Sequence, residues 1–194
     1  METTRKTLLV GLWAGPGSGK STGAAYIFAR LKMLGNLEVE LVTEYAKDKV
    51  FQDDLKVFQN QFYVVGKQTF RESRLRGKVD VIVTDSPSLM GAIYSKDKPY
   101  FKEYAHVLKC MYDEVPHFDY FVERTKPYSQ NGRFQTEAGA TMLDREILDF
   151  MKEQGINYEL IGGNESGYNF VVDDVLKAFN ATEVVGHDRR CHDD

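Results

Sequence analysis

Leu8-Leu9-Val10-Gly11-Leu12-Trp13-Ala14-Gly15-Pro16-Gly17-Ser18-Gly19-Lys20-Ser21-Thr22 is the stretch on which the fold turns. The run from Thr7 to Trp13 is apolar and short, which predicts a buried strand. Gly15, Gly17 and Gly19 then let the backbone curl, so that successive N–H groups converge on one point. A helical pattern follows from about Gly19 to Leu34, and Gly35-Asn36 ends it as a C-terminal cap. Strand, glycine-rich turn, lysine with a hydroxyl, then helix: this order makes a phosphate-binding loop. The N-terminal end of the helix adds a dipole that favours an anion.

Gly15, Pro16, Gly17, Ser18, Gly19, Lys20, Ser21 and Thr22 are therefore the candidate residues for binding the phosphates of ATP. Lys20 brings a mobile positive charge to the β- and γ-phosphates. Ser21 offers a hydroxyl to Mg²⁺, and Thr22 follows it towards the α-phosphate. Ala14 stands where the pattern usually has its first glycine.

Outward from this loop, short apolar strands alternate with longer helical patterns. That alternation predicts an α/β fold with a mainly parallel sheet. Further strands are expected at Val39 to Thr43, Val79 to Thr84, Asp119 to Glu123 and Asn157 to Ile161. Helices are expected over Phe101 to Val115, Gly139 to Gln154 and Asn169 to Phe179. The long stretch from Asp53 to Arg76 repeats Phe58, Phe62, Val65 and Thr69 at helical spacing, which predicts one buried face. One domain over residues 1–181 is expected, with a flexible tail at 182–194.

Composition narrows the class. Of 194 residues, 42% are hydrophobic and 28% charged, the balance of a soluble globular chain. A net charge of -4 gives no global attraction to nucleic acid or to an anionic membrane. No apolar run approaches a membrane span, and the N-terminal residues are interrupted too early by Gly15-Pro16-Gly17 to make a signal peptide. Cys110 and Cys191 lie far apart, which predicts reduced thiols and a cytoplasmic location, the host cytoplasm if the chain is phage-encoded. His187, Cys191 and His192 in the tail are too few to make a metal site alone.

Two carboxylates end strands. Asp85 closes Val81-Ile82-Val83-Thr84, at the sheet edge where open α/β folds bind ligands. It is a candidate catalytic residue and, with Ser21, a candidate Mg²⁺ ligand. Its competing role is to cap the Asp85-Ser86-Pro87 turn. Glu44 ends the second strand in the same way and is a candidate to accept a proton from, or hold, a substrate hydroxyl. The alternative for Glu44 is a solvated loop residue.

The polar segment Arg124 to Thr136, within a lid placed at about 125–140, can close over a nucleotide and bring in a cation. Arg133, beside Gly132, is the first candidate; Arg124 and Lys126 come next, and Arg145 after them. Phe62 or Tyr63 can stack on a base and Gln59 or Gln61 can read its edge, although spacing assigns Phe58 and Phe62 to the core first. Arg71, Arg74, Arg76 and Lys78, and then Lys96, Lys98 and Lys102, form two local basic clusters that leave DNA open as a partner.

The segments at 14–22, at 43–48 (TEYAKD), at 83–87 (VTDSP) and at 124–140 together resemble the P-loop nucleoside and nucleotide kinase superfamily. The likeness in style is to ribosylnicotinamide kinase domains and to phage-encoded kinases, including those acting on hydroxymethyluracil in DNA. The resemblance implies a three-layer αβα sandwich with a five-stranded parallel sheet and a mobile lid. It implies that Glu44 and Asp85 face substrate and magnesium, that Arg133 belongs to the lid, and that Gly162-Gly163-Asn164 lies by the adenine.

Three functions follow from these readings. The first is phosphoryl transfer from ATP to a hydroxyl of a nucleoside- or nucleotide-type substrate. The second is the same transfer to a 5-hydroxymethylpyrimidine base in DNA. The third is an ATPase switch without an acceptor. A GTPase is disfavoured, because Arg124-Thr125-Lys126-Pro127 supplies no guanine-reading segment after its strand. Oligomeric state is left open.

Overall fold

The computed structural model describes residues 5–125 and 137–187. Five strands form one sheet: β1 (Leu8–Trp13), β2 (Val39–Val42), β3 (Val81–Thr84), β4 (His117–Glu123) and β5 (Tyr158–Gly162). Every pairing is parallel, and the order across the sheet is β2-β3-β1-β4-β5. All six residues of β1 and all four of β3 are buried, as strands covered on both faces must be.

Among the described residues six α-helices connect and cover the strands: α1 (Lys20–Leu34), α2 (Tyr45–Phe51), α3 (Gln61–Ser73), α4 (Phe101–Tyr112), α5 (Glu137–Glu153) and α6 (Glu165–His187). Helices α1 and α6 pack on each other, while α3 and α4 pack on a 3₁₀ segment, Ser88–Ser95. The result is the expected three-layer α/β/α architecture with helices on both sides of the sheet.

The strand order places the site. From β1 the chain crosses over β3 to reach β2, and from β3 it crosses back over β1 to reach β4. The crevice between the ends of β1 and β3 is therefore the switch point at which ligands of such sheets bind. The glycine-rich loop follows β1 and Asp85 follows β3.

Three sequence expectations need correction. The stretch from Asp53 to Arg76 is not one amphipathic helix: a 3₁₀ segment, Leu55–Gln59, precedes α3, and Asn60 caps α3 by accepting the Tyr63 amide. The break rotates the buried face, which holds Val64, Val65, Gln68, Thr69 and Glu72. Phe62 is 53% exposed and so is not the core residue that its spacing predicted. The last helix begins at Glu165, because Asn164 Oδ1 accepts the Gly167 amide and caps it, and it runs to His187. The short helix α2 and the Ser88–Ser95 segment had no forecast in the sequence.

Carboxylates buried in the core are held by donors. Asp119 on β4 accepts from Trp13 Nε1 at 2.6 Å, from the Tyr112 hydroxyl at 2.5 Å and from His117 Nδ1 at 2.6 Å. This locks β1 to β4 just behind the phosphate loop, and each such bond to a buried charged group contributes about 1.5–3 kcal/mol. Glu72 accepts from both the amide and the hydroxyl of Ser88, each at 2.8 Å. Burial pushes its carboxyl up to about 7 despite those donors.

Candidate active site

The loop between β1 and α1 is shaped by two glycines with left-handed backbones, Gly17 at φ 85° and Gly19 at φ 105°. Gly19 begins α1 without a side-chain cap, which leaves the first helical amides open to an incoming anion. The Lys20 ammonium folds over the loop and donates to the carbonyls of Ala14 at 2.6 Å and Gly15 at 2.9 Å.

The loop is braced from two directions. Asp144 on α5 accepts the Gly15 amide at 2.6 Å and is ion-paired with Arg124, which also donates to the Pro16 carbonyl at 2.8 Å. On the other flank the turn after β5 presses against the loop. A Cβ on Gly163 would stand 2.1 Å from the Ser18 carbonyl oxygen, so only glycine fits there. The Tyr168 hydroxyl donates to the Gly19 carbonyl at 3.1 Å. The Gly162-Gly163-Asn164 turn therefore adjoins the phosphate loop, and Thr125 Oγ1 ties it to the end of β4 through the Gly163 carbonyl at 2.9 Å.

The fit of this loop to a phosphate chain rests on one orphan. The Ser18 hydroxyl is buried and has no hydrogen-bond partner among the described residues. A buried hydroxyl without a partner is costly. A phosphate oxygen seated in a ring of amides would supply that partner, so the residues present suit the triphosphate of ATP.

Across the crevice, the backbone amide of Glu44 donates to Asp85 Oδ1 at 2.9 Å. Asp85 is thus buried while joining the ends of β2 and β3. The turn-capping role considered for it is not the one found: the Ser86 amide goes to the Thr84 hydroxyl, and Pro87 occupies the cap of the next segment. Glu44 is half-buried, and its carboxyl is raised above the ordinary carboxylate range. Burial is the main cause; Lys20 opposes it and Asp85 reinforces it. Those two influences place Glu44 in one electrostatic cluster with Lys20 and Asp85.

Ser21 and Thr22 lie exposed on the first turn of α1. Among the described residues no set of three His, Cys, Asp or Glu side chains forms a metal cage. The Ser21 hydroxyl and the Asp85 carboxylate are oxygen donors of the kind that suit Mg²⁺. Arg133 and Lys126 lie outside the described residues. Arg145 is exposed on α5, whereas its neighbour Asp144 touches the loop. Sequence reading passed over Asp144, because a helical aspartate gives no signal of the amide it will meet.

A cluster of rings lies by α3. Phe62, Tyr63, Tyr94 and Tyr100 are all substantially exposed. The Phe62 ring centroid lies 5.2 Å from that of Tyr100 and 4.5 Å from that of Tyr104. Gln61 spends its side-chain amide on the Phe58 carbonyl at 2.9 Å, and Gln59 is exposed. The basic run from Arg71 to Lys78 is no single patch: Arg71 pairs with Asp48 and Arg76 with Glu114.

This architecture is shared with solved structures. The NadR protein in complex with NR superposes with a TM-score of 0.64 at 14% identity, over 88% of this chain and 51% of that one. Thymidylate kinase from Ehrlichia chaffeensis superposes with a TM-score of 0.59 at 14% identity, over 90% of this chain and 99% of that one. The chain shares the fold of these two proteins. The chain spans about half the length of the NadR protein. No protein-family model and no curated protein sequence matches the chain. Among the described residues no helix is long and apolar enough to cross a membrane.

Proposed function

We propose that this chain is an ATP- and Mg²⁺-dependent kinase acting on a hydroxyl of a nucleoside- or nucleotide-type acceptor. The observation that carries the reading is the meeting of Lys20, Glu44 and Asp85 across the β1/β3 crevice. Hydrolysis also needs a group that orients its nucleophile, so an acceptor screen is what separates this reading from a switch ATPase.

Mg·ATP would supply the phosphoryl group and much of the charge of the site. Lys20 would leave the loop carbonyls and neutralise phosphate charge. Ser21 and Asp85 would hold the cation, Asp85 partly through water. Glu44 would orient the acceptor hydroxyl and take its proton. Its raised affinity for a proton suits that task, because a base works best when its pKa approaches the working pH. Arg133 would close over the site with the segment that carries it. Phe62, Tyr63 or Tyr94 would stack on the acceptor base.

An acceptor screen with γ-labelled ATP decides the matter, using free nucleosides and nucleoside monophosphates. Label on at least one acceptor is the expected result. Phosphate release at an unchanged rate with and without every acceptor would make the chain an ATPase instead.

A further inference from the structure

Tyr63, Lys67, Phe70 and Arg74 follow one another at helical spacing along the exposed side of α3 and its end. Phe70 is 63% exposed, and Lys67 and Arg74 are exposed as well. Ring, cation, ring and cation thus alternate over roughly 16 Å. This stripe forms one wall of a groove of about 490 Å³, whose other wall is the edge strand β2 with Leu41 and Thr43.

The groove is built rather than frayed. Arg71 donates to the Thr43 carbonyl at 3.1 Å and to Asp48 at 2.5 Å, and its guanidinium lies 5.1 Å from the Tyr45 ring centroid. The Lys67 ammonium lies 5.4 Å from the Tyr63 ring centroid. Asp48 is the sole acid among the described residues lining the groove, and Arg71 already engages it. Among the described residues neither Lys67 nor Arg74 forms an ion pair. A chain with a net charge of -4 therefore concentrates positive charge and bare aromatic surface in one channel.

We propose that the groove between α3 and β2 binds a single-stranded polynucleotide. Aromatic faces receive unpaired bases and interleaved cations receive phosphates, a combination that suits single strands. Thr43 and Tyr45, which line the groove, flank Glu44 in the chain. A strand lying there delivers a nucleotide to the carboxylates across from the phosphate loop. The acceptor is then a hydroxyl carried on a strand. That second step rests on the kinase reading above, whereas strand binding does not.

The test is fluorescence anisotropy of a labelled single-stranded oligothymidylate with the full chain and no ATP. The expected result is binding that weakens with salt at a log–log slope of about -1.4, from the two cations Lys67 and Arg74 at roughly 0.7 each. Lys67→Ala with Arg74→Ala weakens it at least about tenfold, and Phe70→Ala several-fold, with thermal midpoint and ATP affinity unchanged. The proposal is overturned by no binding at low salt, by binding indifferent to these substitutions, or by equal affinity for duplex. It is also overturned if the stripe proves to be a self-association face, seen as a dimer that Phe70→Ala dissolves. Label transfer to free nucleosides without strand binding defeats this proposal alone. Strand binding without transfer to free nucleosides, monophosphates or the strand defeats the kinase reading and leaves the groove standing.

Discussion

The two walls of the crevice are made differently. On the phosphate side, backbone does the work: left-handed Gly17 and Gly19, the amides opening α1, and carbonyls that hold Lys20. The loop is pinned by Asp144 and Arg124 on one flank and by Gly163 and Tyr168 on the other. On the acceptor side, side chains do the work. Glu44 caps a short helix, exposed rings stand on α3 and the segments after β3, and Glu72 on α3 is buried. Amides presented by a fixed loop bind one chemistry, polyphosphate, with little need for adjustment. Exposed rings on short elements can be varied from chain to chain, which suits a wall that has to recognise one acceptor.

The sharpest test of that contrast is Lys20→Ala. It should lower phosphoryl transfer by about 10³-fold or more, because Lys20 is the cation held over the phosphate loop. Transfer within tenfold of wild type would remove the phosphate loop from the chemistry. Asp85→Asn should come next, cutting kcat by about 10²-fold with ATP affinity altered much less. Equal losses in both would make Asp85 a nucleotide-binding group and shift it to the phosphate wall.

Gly163→Ala probes the rigidity of the phosphate side. Its Cβ would meet a backbone oxygen, which cannot rotate away, so we expect a stability loss of about 2–4 kcal/mol and weaker ATP binding. A neutral effect by urea denaturation would show that the loop yields more than its bracing implies.

Glu72 tests the acceptor side through pH. Its folded carboxyl titrates near 7, above the ordinary value of 4.5. The folded chain therefore binds the proton more tightly, and this contribution is full below about pH 4.5 and is lost as pH rises through about 7. The loss is on the order of 3 kcal/mol. Glu72→Gln should flatten that slope, read as urea midpoints at about pH 5 and pH 8. Parallel slopes in both chains would assign the pH dependence to other groups.

Phe62→Ala should have the smallest effect on folding, below about 1 kcal/mol, because half its ring is already in water. A raised KM for the acceptor with ATP binding untouched would mark it as part of the recognition wall. A large loss of stability would return it to the core.

The parts legible in sequence were those written in local chemistry. Glycines at 15, 17 and 19 before Lys20-Ser21 announce a phosphate loop, because positive φ and converging amides need no distant partner. Apolar runs at 8–13 and 81–84 announce buried strands by length and composition. Strand ends at Glu44 and Asp85 could be placed at one sheet edge for the same reason. The register of α3 was not legible, because the Asn60 cap resets the helix and turns Phe62 outward. Nor was the grip of Asp144 on the Gly15 amide, or the nearness of Lys20 to Glu44, since each joins segments distant along the chain. Sequence alone determined that this chain builds an anion-binding loop on a parallel sheet, since that information is local. Only the tertiary structure decided which carboxylates face the loop and which rings stay in water, because strand order and helix rotation arise from packing the whole core.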